Sequence, residues 1–279
     1  MKNLLTSDRY RLKKQKSILV LLIVLGALML LEAVGNGFLM GNAPWVNRFA
    51  QLVDEATNGG ILISFTELRM LIASSTGLVY SWADVIVNSF SGYTTIFLTL
   101  FIAIYITQPV RTQYLKNIAS EFPRAYFVFS DTIFLAVWCL FVTVLNTLIA
   151  LPFSFIFYAG LSAGNVLELI LWIIIKFLLL FSIALCVSLF VSYLRRSGLA
   201  ITFAILYIAV IGPNFFSIAD LILNSSENSF RFSYLTPLGN YSILDLSVWH
   251  LLIGLLVAVL YGAVSFFLRV RLYQNRDIN

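Results

Sequence analysis

Charge is scarce in this sequence. Only 11% of its 279 residues are Asp, Glu, Lys or Arg, against about 25% in an ordinary globular domain. Histidine is nearly missing. His250 stands alone, with no cysteine or carboxylate cluster near it, which excludes the usual metal-site spacings. Cysteine occurs twice, at Cys139 and Cys186. Both fall inside apolar runs, so they form neither a metal motif nor a disulfide framework and read as small packing residues. There is no G-x-x-x-x-G-K-S/T phosphate loop, so the chain hydrolyses no nucleotide by that route. No nucleophile elbow or other catalytic constellation is present either. Tandem repeats and low-complexity tracts are absent. These absences read as a chain that is not an enzyme and carries no metal or cofactor of its own.

What fills the sequence is apolar: 60% of the residues are hydrophobic. Several runs reach the ~20 residues that cross a ~30 Å hydrocarbon core. They lack period-2 alternation, so helices are expected rather than barrel strands. The pattern predicts an all-α, polytopic membrane protein with six transmembrane helices at 17–40, 86–106, 127–156, 166–192, 198–223 and 247–268. Residues 1–35 imitate a secretory signal, with basic residues, an apolar run and "AVG" at 33–35. They are read as a basic segment and a retained first span. The first loop, 41–85, contains Pro44, Trp45, Trp82 and a weaker apolar stretch at 61–80. Glu67 and Arg69 interrupt that stretch, which is expected as an interfacial or external helix.

Basic residues set the orientation. Fourteen of the eighteen lie on one side: six in residues 1–16, then Arg111, Lys116 and Arg124, then Arg195 and Arg196, then Arg269, Arg271 and Arg276. The other side has Arg48, Arg69 and Arg231. Both termini are therefore expected in the cytoplasm, which an even number of spans satisfies. The net charge of +5 is accounted for by this bias and by anionic lipid, and calls for no nucleic acid. Glu32 and Lys176 are the intramembrane charges. Either each snorkels outward on its own, or the two pair or jointly line a translocation path.

One polar island interrupts the apolar sequence, "TQPVRTQYLKNIASEFPRA" at 107–125. Pro109 suits a first helical turn, with Thr107 as its cap. Val110, Tyr114, Leu115 and Ile118 recur at i, i+4, i+5 and i+8, an apolar face with Arg111 and Lys116 off it. Pro123 stops the helix. The expectation is a short amphipathic helix within 108–124, on the cytoplasmic side, resting on lipid or docked on a partner.

The island's "QPVRTQYLKNIASEFPRAYFVFSD", the basic N-terminus, the "YLRRSG" turn at 193–198 and "SYLTPLG" at 233–239 together resemble the membrane subunits of ABC exporters of the type-2 permease family. The resemblance spans nearly the whole chain as a pattern rather than as one specific motif. It implies that residues 1–16 form an elbow segment and that the island is a coupling helix. Its contacts to a separate ATPase subunit would lie at Val110, Arg111, Tyr114, Leu115, Lys116, Asn117 and Ile118. ATP and Mg would be bound by that partner. A second copy or a similar six-span chain would complete the pathway in a bacterial cell membrane, for export of a peptide antibiotic, drug or other amphipathic substrate. Two other readings stand beside it: a non-transporting immunity or scaffold protein that acts by binding, and an ion-coupled secondary transporter.

Overall fold

A computed structural model describes residues 16–57, 64–76, 85–86, 92–111, 123–160, 166–194, 198–199, 202, 206 and 248–275. The elbow segment apart from Lys16, most of span 198–223, the loop at 224–245 and island residues 112–122 lie outside them. The described fold is all-helical, with seven helices: α1 Lys16–Met40, α2 Pro44–Thr57, α3 Phe65–Thr76, α4 Gly92–Arg111, α5 Arg124–Phe157, α6 Val166–Leu194 and α7 Val248–Asn275. Three stretches, Ile18–Met40, Ala125–Phe157 and Ile173–Leu194, are long and apolar enough to cross a membrane. The chain is membrane-embedded.

Contacts between rings and ion pairs fix how the helices run. Phe101 stacks on Trp138 with centroids 3.9 Å apart, and Tyr105 on Phe134 at 4.7 Å. Rising numbers on α4 thus meet falling numbers on α5, and the two are antiparallel. Phe38 meets Phe157 at 5.1 Å, so α1 and α5 finish at the same end. Cys186 Sγ lies 3.0 Å from Ser265 Oγ, and Arg269 reaches Ser192. α6 and α7 are therefore parallel neighbours, although they follow one another in the described chain. The connection between them starts at one end of the bundle and finishes at the other. The described chain also begins and ends at one common end, where Lys16, Arg111, Arg124 and Arg271 lie. It is called the basic end below.

Between lipid-embedded helices close packing replaces the hydrophobic drive, and small residues permit it. α7 carries Ala258, Gly262 and Ser265 on its buried side. A Cβ on Gly262 would lie 3.5 Å from Leu185 Cδ1, so α7 rests closely on α6. The core is built from Leu25 and Met29 of α1, Leu98, Phe101 and Tyr105 of α4, Leu135 and Trp138 of α5, and Leu180, Ala184 and Val187 of α6. Cys139 is buried in this core, and both cysteines are free thiols.

At the opposite end the chain folds into a cap. Carbonyls at a helix C-terminus have no intrahelical partner, and α5 solves this with groups from the start of α2. Ala43 N–H donates to the Phe157 carbonyl at 3.0 Å, and Trp45 Nε1 donates to the Ile156 carbonyl at 2.9 Å. The Asn42 side chain pairs twice with Ala159: its Nδ2 donates to the carbonyl, and its Oδ1 accepts the N–H at 2.7 Å. Gly37 and Gly41 make the approach feasible. A Cβ on Gly37 would lie 2.6 Å from Phe157 Cδ2, and one on Gly41 2.6 Å from the Phe157 carbonyl oxygen. Arg69 of α3 covers the end of α1, donating to the carbonyls of Leu39 and Gly41 and to Asn47 Oδ1. A cation suits a helix C-terminus. Burial lowers the Arg69 pKa, which the neighbouring Tyr158 opposes, and burial raises the Tyr158 phenol to about 12.

α3 opens on a reciprocal capping box, in which Ser64 Oγ accepts from Glu67 N–H and Glu67 Oε2 accepts from Ser64 N–H. Asp54 of α2 accepts from Phe65 N–H at 2.6 Å and from both the Thr66 N–H and hydroxyl. The Thr66 hydroxyl above all, helped by the two N–H groups, holds the Asp54 carboxyl below its ordinary value.

The structure changes several expectations. Segment 41–85 is not a loop with one helix at 61–80. It holds α2 as well as α3, because Pro44 opens a helix and Val46, Ala50 and Val53 give it an inward face. The helix expected as a second span at 86–106 corresponds to α4, described from Gly92 and continuing to Arg111. Thr107 is not a cap: its hydroxyl donates to the Ala103 carbonyl one turn back, inside a helix already formed. Val110 and Arg111 accordingly lie in the last described turn of α4, where Pro109 removes one backbone donor, and the rest of the expected island helix, apart from Pro123 and Arg124, lies outside the described residues. The helix expected as a sixth span stopping at 268 corresponds to α7, which continues to Asn275 because Arg269 is buried and paired rather than part of a polar tail.

Candidate functional site

α5 leaves the island at Arg124 and is 34 residues long. In its second turn Asp131 meets Arg269, with Oδ2 2.5 Å from Nη2. The Arg269 side chain is 1% exposed and Asp131 16%. Arg269 Nε donates to Ser192 Oγ at 3.0 Å, and the guanidinium lies 5.6 Å from the Tyr273 ring centre, within cation–π range. Ser192 in turn donates to the Ser188 carbonyl at 2.7 Å. Arg269 Nη1 is buried and has no hydrogen-bond partner among the described residues. One cation thus ties the beginning of α5 to the ends of α6 and α7.

The surroundings of the pair are apolar. Phe129 meets Phe266 edge-on at 5.1 Å, and an apolar groove of about 390 Å³ continues from there between α5, α6 and α7, past Phe181, Leu185 and Gly262. In such surroundings neither member of the pair is stable alone. Taking one charge away leaves the other buried, a loss of about 3–5 kcal/mol. The arrangement can transmit movement: a shift of α5 must carry Arg269 with it or break the pair.

Sequence reasoning misses both charges of this pair. Asp131 lies within expected span 127–156, and Arg269 counts there among the basic residues of the C-terminal tail. A signal exists, since an Asp inside one apolar run and an Arg against the end of another are intramembrane charges seeking partners. The residues that the sequence singles out are placed differently. Lys176 is buried within α6, facing the bundle, and Glu32 is half-buried on α1. Their helices each pack on both α4 and α5. Val110 and Arg111 end α4 at the basic end, whereas Tyr114, Leu115, Lys116, Asn117 and Ile118 lie outside the described residues. Among the described residues no group of three or more His, Cys, Asp or Glu side chains could hold a metal ion.

No protein-family model matches the chain, and a search of curated proteins finds no match.

Proposed function

We propose that this chain is the membrane subunit of an ATP-driven exporter of the type-2 ABC permease kind, forming half of a translocation pathway. The single observation that carries this reading is the continuity from island to buried ion pair. The segment bounded by Pro109 and Pro123 leads directly into α5, and seven residues on, about 10 Å at ~1.5 Å per residue, Asp131 is held by Arg269. A separate ATPase docks on residues 110–122 at the basic, cytoplasmic end. ATP closes the ATPase dimer, the docked segment moves, and α5 carries the movement through Asp131 to α6 and α7. ATP and Mg act only in that partner. The nucleotide state must favour one helix arrangement over the other, or nothing shifts. A second copy or a similar chain forms the other half, and the apolar groove between α5, α6 and α7 suits the apolar part of an amphipathic substrate.

The test is co-purification followed by flux. An ATPase carrying a phosphate loop is expected to co-purify with the chain. Replacing Tyr114 and Leu115 by Asp is expected to uncouple ATP hydrolysis from transport while leaving the helices folded. Transport driven by a proton or sodium gradient without ATP would overturn the proposal in favour of a secondary transporter.

A further inference from the structure

α2 has three faces. Val46 and Ala50 are buried, with Val53 and Thr57 half-buried beside them. Asn47 and Asp54, on the next sector, are bonded to Arg69 and to the start of α3. The remaining surface is exposed and splits cleanly. Trp45, Phe49, Leu52 and Ala56 recur at i, i+4, i+7 and i+11 and form an apolar stripe, with Trp45 44%, Phe49 42% and Leu52 55% exposed. Arg48, Gln51 and Glu55 form an exposed polar stripe about a quarter-turn away. A helix surrounded by water has no use for the first stripe, and one immersed in lipid could not carry the second.

We propose that α2 lies in the plane of the lipid–water interface, and that the partner of its apolar stripe is the bilayer itself. The level is set by the helices around it. α1 ends at Met40 and α5 at Phe157, and Trp45 joins them there: its ring lies 5.8 Å from Phe38 and 5.1 Å from Phe157, and its Nε1 is bonded to the Ile156 carbonyl. Tryptophan gathers at such levels, its apolar ring in the boundary layer and its N–H bonded. The two spans that end beside it also carry apolar outer surfaces, with Leu31, Phe155 and Ile156 exposed at 67%, 57% and 50%. Helices with Trp, Phe and Leu on one side and charges on the other settle about 5–10 Å into the headgroup–acyl boundary. Through Arg69, Asn47 and Asp54 the same helix holds α3 and the end of α1, so lipid depth at this surface and the position of α1 are linked.

The proposal is tested on the full chain in phosphatidylcholine–phosphatidylglycerol vesicles. Nitroxide labels are placed singly at Phe49→Cys, Leu52→Cys, Gln51→Cys and Glu55→Cys in a Cys139→Ala, Cys186→Ser background. Labels at 49 and 52 are expected to meet oxygen and to be several-fold less accessible to a nickel chelate than labels at 51 and 55. Equal chelate access at all four positions would place the stripe in water and overturn the proposal. So would labels at 49 and 52 shielded from both reagents, with dipolar broadening if a second copy is what covers them. If the cysteine-free background fails to fold, the native chain and Trp45→Phe are compared in vesicles with lipids brominated near the headgroup. The quenchable fluorescence is expected to fall in the variant, and unchanged quenching would overturn the proposal.

Discussion

Arg269 and Asp131 meet at 2.5 Å although they stand 138 positions apart in the sequence. Each single replacement, Asp131→Asn or Arg269→Met, is expected to cost about 3–5 kcal/mol by stranding a buried charge. The double variant should recover much of that loss. Thermal unfolding in detergent, run as a double-mutant cycle, measures the coupling. Effects that simply add would mean the pair holds nothing together.

Three glycines of the first helix and its exit give a graded series. A methyl group added at Gly26 would have nothing within 4 Å, so Gly26→Ala should be neutral or stabilising by up to ~1 kcal/mol. Gly37→Ala meets the ring of Phe157, and overpacking of that kind costs about 1–3 kcal/mol. Gly41→Ala meets backbone at Phe157, which cannot rotate away, and should be the worst of the three. Melting temperatures ranked in any other order would contradict the described corner.

Acid should loosen the α2–α3 junction before the bundle. The folded Asp54 carboxyl lies below its ordinary 3.8, chiefly because of the Thr66 hydroxyl. A lowered pKa contributes stability that is present above the ordinary value and is lost as pH falls through the folded one. Amide exchange at Phe65 and Thr66 should therefore accelerate, beyond its intrinsic change, as pH drops below about 4. Asp54→Asn should abolish this dependence, and an unchanged profile in that variant would assign the effect elsewhere.

If Glu32 and Lys176 act together, Glu32→Gln or Lys176→Met alone should impair assembly or transport more than the two combined. Comparing yields and flux of the three variants decides it. Independent effects would return Glu32 to a half-buried position on α1 with no role in common with Lys176.

The long apolar runs make α1, α5 and α6 legible to within a few residues, because lipid demands a continuous apolar stretch and a sequence cannot hide one. What escapes depends on partners distant in the chain. α7 continues past its apolar run only because Asp131 and Ser192 receive Arg269. α4 continues through Pro109, where local preference favours a fresh start. α2 is readable in principle, with Pro44 at its first position and Trp45, Phe49 and Leu52 at helical spacing, but its mixed composition resembles a loop when only hydropathy is weighed. Ser64 and Glu67 likewise spell a capping box that a search for long spans passes over.

α5 is gripped at its two ends by different kinds of bond. Near its start an ion pair holds it, and an ion pair can open when a partner pulls. At its finish Ala43, Trp45 and Asn42 fasten it through several hydrogen bonds to its last backbone groups. Under the proposed docking, these 34 residues, roughly 50 Å at ~1.5 Å per residue, would act as a lever with a releasable handle and a fixed pivot. Pro152, five residues before the end, removes a ladder bond just inside that pivot, and a bend would cost least there. A small swing at the handle would then sweep the middle of α5 across α4 and α6, while the rim formed by α1, α2 and α3 stays in place.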